Sequence, residues 1–128
     1  MSFSTIKPFG KTIVNGYEWN GRVLKPFGRS GDAGWEFDGR VLRPCGRSVD
    51  KGYEWDGKRL VPHGRSMFAG YEFSGSVIKP FGRSSEAGFE VKPGACYPFG
   101  KARETGWEIH GSLPVPIIAL IAFDLFSM

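Results

Sequence analysis

Gly16-Tyr17-Glu18-Trp19-Asn20-Gly21-Arg22-Val23-Leu24-Lys25-Pro26-Phe27-Gly28-Arg29-Ser30 is an aromatic run, an Asn-Gly dipeptide and an aliphatic run closed by Pro-Phe-Gly. Asn-Gly or Asp-Gly between short aromatic and β-branched runs is the strongest local signal for a β-hairpin, because a tight turn of this kind needs positive φ. The centres Asn20-Gly21, Asp38-Gly39, Asp56-Gly57 and Ser74-Gly75 recur every eighteen residues. The same step carries Pro8, Pro26, Pro44, Pro62, Pro80, Pro98 and Pro116, and Glu18, Glu36, Glu54, Glu72, Glu90 and Glu108. A period this short marks units that cannot bury an apolar face alone and must stack against their neighbours.

A turn centred on Asn20-Gly21 places Trp19 opposite Arg22, Tyr17 opposite Leu24 and Glu18 opposite Val23. Tyr17, Trp19, Leu24 and Pro26 then share the face that forms the core, while Glu18, Val23, Lys25 and Phe27 share the other. Proline cannot donate a ladder hydrogen bond, so the proline column marks strand ends. The fifth unit reads Val91-Lys92-Pro93-Gly94-Ala95-Cys96-Tyr97, and a bulge or bend is expected there.

Two all-β architectures fit the period. In a β-solenoid the glutamates would stack at about 4.8 Å, and like charges directly opposite are destabilising. An antiparallel meander of about six hairpins places Val23 or Arg59 beside the glutamates and Lys25, Arg43 or Lys79 on the diagonal. The meander is the expected fold, either as an open curved sheet or as a closed ring. The array starts with a back half, Ser4 to Gly10, and its last front half is Gly106 to Gly111. These complementary half-hairpins close a ring if they meet within a chain, or a filament if they meet between chains. The expected division is a repeat domain over 1–111 and an apolar docking tail over 112–128.

The units Tyr53-Glu54-Trp55-Asp56-Gly57 and Lys79-Pro80-Phe81-Gly82, with the tail Leu113-Pro114-Val115-Pro116-Ile117-Ile118, resemble uncharacterised bacterial tandem-repeat proteins. The resemblance covers almost the whole chain and implies no particular activity. A looser resemblance is to MORN repeats. MORN repeats are associated with scaffolding and membrane apposition, but this unit is shorter and lacks their Tyr-x-Gly-x-Trp order, so the resemblance implies only a glycine-rich hairpin meander.

At 128 residues, with 41% hydrophobic and 15% aromatic residues, the chain suits one domain with a continuous core. Two cysteines are too few for a disulfide framework. The N-terminal residues lack an apolar signal core, so a cytoplasmic location or export by a leaderless route is expected. The tail is too short for a spanning helix and carries Asp124.

Catalysis needs different groups converging at one place, whereas this chain repeats similar groups at many, so no enzyme and no cofactor or metal are expected. An enzyme would instead show an irregular pocket near the fifth unit, around Cys96. His63 and Cys45 share the column of Phe9, Phe27, Phe81 and Phe99 and read as packing variants, and His110 reads as a turn residue. The leading expectation is a self-assembling structural protein. Its contacts would be Ile6, Pro8, Phe9, Trp107 and Ile109 at the half-hairpins, with Val115, Ile117, Ile118, Leu120, Ile121, Phe123, Leu125 and Phe126 in the tail. The alternatives are a carbohydrate-binding module that stacks sugars on the Trp and Tyr face, a polyanion-binding module using the row Arg29, Arg47, Arg65 and Arg83, and a membrane-associated scaffold. The partner is therefore a second copy, an anionic polymer, a glycan or a membrane surface, with no specific nucleic acid expected.

Overall fold

The computed structural model describes residues 4–29, 34–47, 52–66 and 69–123. Among them lie twelve strands, and every neighbouring pair is antiparallel. They are β1 (Ser4–Pro8), β2 (Tyr17–Trp19), β3 (Val23–Pro26), β4 (Trp35–Phe37), β5 (Val41–Pro44) and β6 (Tyr53–Trp55), followed by β7 (Arg59–Pro62), β8 (Tyr71–Ser74), β9 (Val77–Pro80), β10 (Phe89–Lys92), β11 (Ala95–Pro98) and β12 (Trp107–His110). One helix, α1 (Val115–Ala122), follows. The meander closes because β12 pairs with β1, giving a barrel in place of an open sheet or a solenoid. Proline ends β1, β3, β5, β7, β9 and β11, as its missing N–H requires.

The hairpin register differs from the expected one. Tyr17 faces Pro26, Glu18 faces Lys25 and Trp19 faces Leu24, so the turn is centred on Gly21-Arg22. The cause is the Asn20 side chain, whose Oδ1 accepts the backbone N–H groups of Arg22 at 2.9 Å and Val23 at 2.8 Å. Asp38 and Asp56 hold their turns in the same way. This Asx capping leaves the polar residue at the turn entrance and moves the positive-φ glycine, +100° at Gly21, to the first central position. A shift of two positions keeps every side chain on its expected face, since only an odd slip exchanges faces.

The shift does change the charge pattern. Lys25, Arg43 and Lys79 stand directly opposite Glu18, Glu36 and Glu72, not on the diagonal. The adjacent hairpin sets Val23 beside Glu36 and Arg59 beside Glu72. The fifth hairpin is regular, pairing Phe89 with Pro98 through Lys92 with Ala95, so the expected bulge is absent among its described residues. Pro93-Gly94 makes a two-residue turn because proline presets φ and Gly94 supplies +84°. His110 is not a turn residue; it ends β12 opposite Thr5.

Leu24 faces Trp19 in its own hairpin and Trp35 in the next, so successive hairpins are displaced by two residues and the strands tilt around the barrel. Twelve strands about 4.8 Å apart and tilted by ~40° close on a diameter of roughly 24 Å. Inside one layer of side chains that leaves room for a single helix about 10 Å across. The lumen holds α1, with Pro116, Ile117, Ile118, Ala119, Leu120 and Ile121 buried. Around it runs a fully buried ring, one residue per unit: Ile6, Leu24, Leu42, Leu60, Ile78 and Cys96. The helix packs beside β11, where the ring residue is the small Cys96.

A second column explains the tight wall. A Cβ on Gly52 would lie 2.0 Å from the Leu42 carbonyl oxygen, and Gly16, Gly34, Gly70, Gly88 and Gly106 meet the corresponding carbonyls at similar range. Gly52→Ala is expected to lower stability by about 3 kcal/mol. Gly57→Ala, at φ +99° with open space around it, should cost about 1 kcal/mol, both read from urea unfolding.

The Asx turns carry a pH signature. Asp38 titrates below its ordinary value because it accepts backbone N–H groups from Val41 and Arg40, and Asp56 does so because it accepts those of Arg59 and Lys58. Folding lowers both pKa values, so their contribution is complete above about pH 5 and is lost as pH falls below about 4. Asp38→Asn with Asp56→Asn keeps the turn chemistry of Asn20. Thermal melts should show a nearly unchanged Tm at pH 7 and a shallower fall between about pH 5 and pH 3.

Candidate functional site

Each short link ends one hairpin in a four-residue turn of the form Pro-x-Gly-basic. Arg29 N–H donates to the Pro26 carbonyl at 3.1 Å, and Lys11, Arg47, Arg65, Arg83 and Lys101 repeat the bond to Pro8, Pro44, Pro62, Pro80 and Pro98. Gly10, Gly28, Gly46, Gly64, Gly82 and Gly100 all have φ between +77° and +82°. That conformation is the third position of a type II turn, which only glycine adopts readily. The six turns place six exposed cations around one mouth of the barrel. Arg29, Arg47, Arg65 and Arg83 are the row expected from the sequence; Lys11 and Lys101 complete it and were legible from the same column.

On the wall below this rim, most glutamates have a cationic partner. Glu72 accepts from Lys79 Nζ at 2.9 Å and from the Gly82 N–H at 3.1 Å, which ties the strand to the rim turn. The Lys79 contact, first, and the Gly82 contact hold its carboxyl below the usual glutamate value. Glu108 is lowered by its bond to Lys7, Glu18 pairs with Lys25 at 3.3 Å, and Glu36 with Arg43 at 3.1 Å. Glu90 meets Tyr97, whose phenol is raised by that contact. On the wall, Glu18, Glu36, Glu72 and Glu108 are thus paired with Lys25, Arg43, Lys79 and Lys7, while Glu54 meets His63 instead.

None of the six rim cations is ion-paired to a described carboxylate. The large hydrophobic residues left exposed among the described residues are Phe27, at 41%, and Val14, at 69%. Both sit at this same mouth, Phe27 in a rim turn and Val14 in the first link.

The residues expected to join copies make their contacts within the chain. Ile6 faces Ile109 and Pro8 faces Trp107, while Phe9 N–H donates to the Gly106 carbonyl at 3.0 Å. These repeat the Leu24–Trp19, Pro26–Tyr17 and Phe27–Gly16 relations, so β12 and β1 form a sixth hairpin without a covalent turn. Ser112 N–H donates to Ser4 Oγ at 3.0 Å where that turn would be. Ile117, Ile118, Leu120 and Ile121 are buried in the lumen, and Val115 packs against the core. Phe123 meets Tyr71 at 4.4 Å and Phe89 at 5.1 Å between ring centroids. Leu125 and Phe126 lie outside the described residues. The prolines place a short helix here, with Pro116 in its first turn where a missing N–H costs nothing.

Cys96, the place where an enzyme's irregular pocket would be expected, is sealed in the core, where burial pushes its thiol up to about 12. The tyrosines Tyr53 and Tyr71 face inward and burial raises them too. No described helix is long and apolar enough to cross a membrane. Outward glutamates and lysines on the strands are incompatible with a lipid-facing barrel wall. Comparison with family models, with curated proteins and with solved structures finds no match.

The lumen and the rim should separate cleanly under mutation. Ile117→Ala is expected to cost about 3 kcal/mol, whereas Phe27→Ala should stay within about 0.5 kcal/mol, both measured from denaturation midpoints.

Proposed function

We propose that this protein is a non-catalytic docking module that seats its six-cation rim on an anionic lipid surface. The observation that carries the reading is the coincidence, at one mouth, of a sixfold set of cations outside the wall's ion pairs and the exposed Phe27 and Val14. Cations near an anionic leaflet contribute about 1 kcal/mol each, and apolar side chains beside them add burial in the headgroup region. A ring of rigid turns favours a flat surface over a groove-bound polymer. Self-assembly through Ile6, Ile109 and the tail would first require the β1–β12 pairing and the filled lumen to open.

Sedimentation with phosphatidylcholine vesicles, with and without phosphatidylserine, tests this. Binding is expected only with phosphatidylserine and should weaken as salt rises. Arg29→Gln with Arg83→Gln should weaken it roughly thirtyfold, from two cations at about 1 kcal/mol each. Equal binding to both vesicles, or binding to soluble polyphosphate but to neither vesicle, would overturn the lipid reading.

A further inference from the structure

The third hairpin departs from the repeat at two outward positions. Val61 stands opposite Glu54, where other units place Lys25, Arg43 or Lys79. His63 replaces the phenylalanine of the rim turn, and its Nδ1 lies 3.2 Å from Glu54 Oε2. On its other side Glu54 faces Val41. Flanked by two valines, the Glu54 side chain is 44% exposed, against 15%, 18% and 20% for Glu18, Glu36 and Glu72. The depression is part of an open cleft of about 700 Å³ whose lining includes Arg40, Glu54, Trp55, Arg59, Val61 and the rim residue Arg65, with Asp56 at its turn end. That volume is in the range of small-molecule sites.

The lining has a mixed chemistry that narrows the ligand. Trp55 is half-buried, packing against the core while also lining the cleft, and an indole suits the C–H face of a sugar ring. Arg40 and Arg59 supply guanidinium groups, and Arg59 Nε is buried without a hydrogen-bond partner. Asp56 is fixed by its turn, Oδ1 holding the Lys58 and Arg59 N–H groups, with Oδ2 3.5 Å from Arg59. A phosphate dianion would meet two carboxylates, and a cationic peptide would meet the arginines. A monoanion rich in hydroxyl donors satisfies both sets.

We propose that this cleft binds a pyranose bearing a carboxylate, a hexuronic-acid unit of an acidic glycan. The carboxylate pairs with Arg40 and Arg59, the ring stacks on Trp55, and hydroxyls donate to Glu54 and Asp56. Charged hydrogen bonds of this type are the strong ones and set orientation. The site lies on the barrel wall and reaches the rim through Arg65, but the proposal does not rest on the lipid reading, which its vesicle test addresses separately.

Titration of the ¹⁵N-labelled full chain with glucuronate, glucose and inorganic phosphate, followed through the indole N–H signals, tests the site. Trp55→Phe assigns the Trp55 signal. Glucuronate should shift it saturably, with glucose and phosphate about tenfold weaker. Arg40→Gln should lower glucuronate affinity about tenfold. Glu54→Gln should weaken both sugars. Val61→Lys, which restores the cation of the other hairpins and fills the depression, should abolish binding while the protein stays folded. The rim variant Arg29→Gln with Arg83→Gln should bind glucuronate normally. A Trp55 signal that does not move, equal response to phosphate, or unchanged binding by folded Val61→Lys would overturn the proposal.

Discussion

A wall of twelve strands encloses more volume than its own inward side chains fill, and that constraint governs the molecule. Barrels of about eight strands pack their interiors with wall residues, whereas wider ones hold a cavity or a plug. Here the plug is an eight-residue helix that is apolar on every side, since it meets wall in every direction. Such a helix has no stable existence in water. Wall and helix therefore depend on each other: the ring from Ile6 to Cys96 has nothing to pack against without α1, and α1 has no apolar surroundings without the ring.

The repeat makes this possible by solving one unit and copying it. Inward positions carry rings and aliphatics, outward positions carry a glutamate facing a cation, and glycines stand where strands approach a neighbouring carbonyl. Individual wall ion pairs contribute only about 0.2–1 kcal/mol, but each joins strand to strand and several also hold a rim turn. Among the departures from the unit, Cys96 is the small ring residue on the strand nearest the helix, Tyr97 takes the place of the cation opposite Glu90, and Val61 lines a cleft on the outside.

Much of this was legible in the chain. The eighteen-residue step gave hairpins, the Asn-Gly and Asp-Gly pairs located their turns, and alternation separated core from surface. Like-charge repulsion between glutamates favoured the meander over stacked coils. The register was not legible because Asn20, Asp38 and Asp56 cap their turns from the entrance, a choice settled by two backbone N–H groups and not by composition. The partner of the half-hairpins was also open, since identical complementarity serves contacts within or between chains. The rim needed only the full column to be read, from Lys11 to Lys101. The cleft at Glu54 was not legible, because it arises from two valines on different strands, Val41 and Val61, whose meeting depends on that register.

The turnless sixth hairpin imposes an order on synthesis. Lys7 and its partner Glu108 are separated by 101 positions, so the first strand leaves the ribosome long before its neighbour exists. Bringing such distant segments together carries the loop-closure cost that slows high-contact-order folding. Five hairpins can form locally during translation, while the nascent arc keeps both flanks open until Trp107–His110 emerges. A chaperone that shields β1 over that interval would act on the yield of folded protein without touching its final stability.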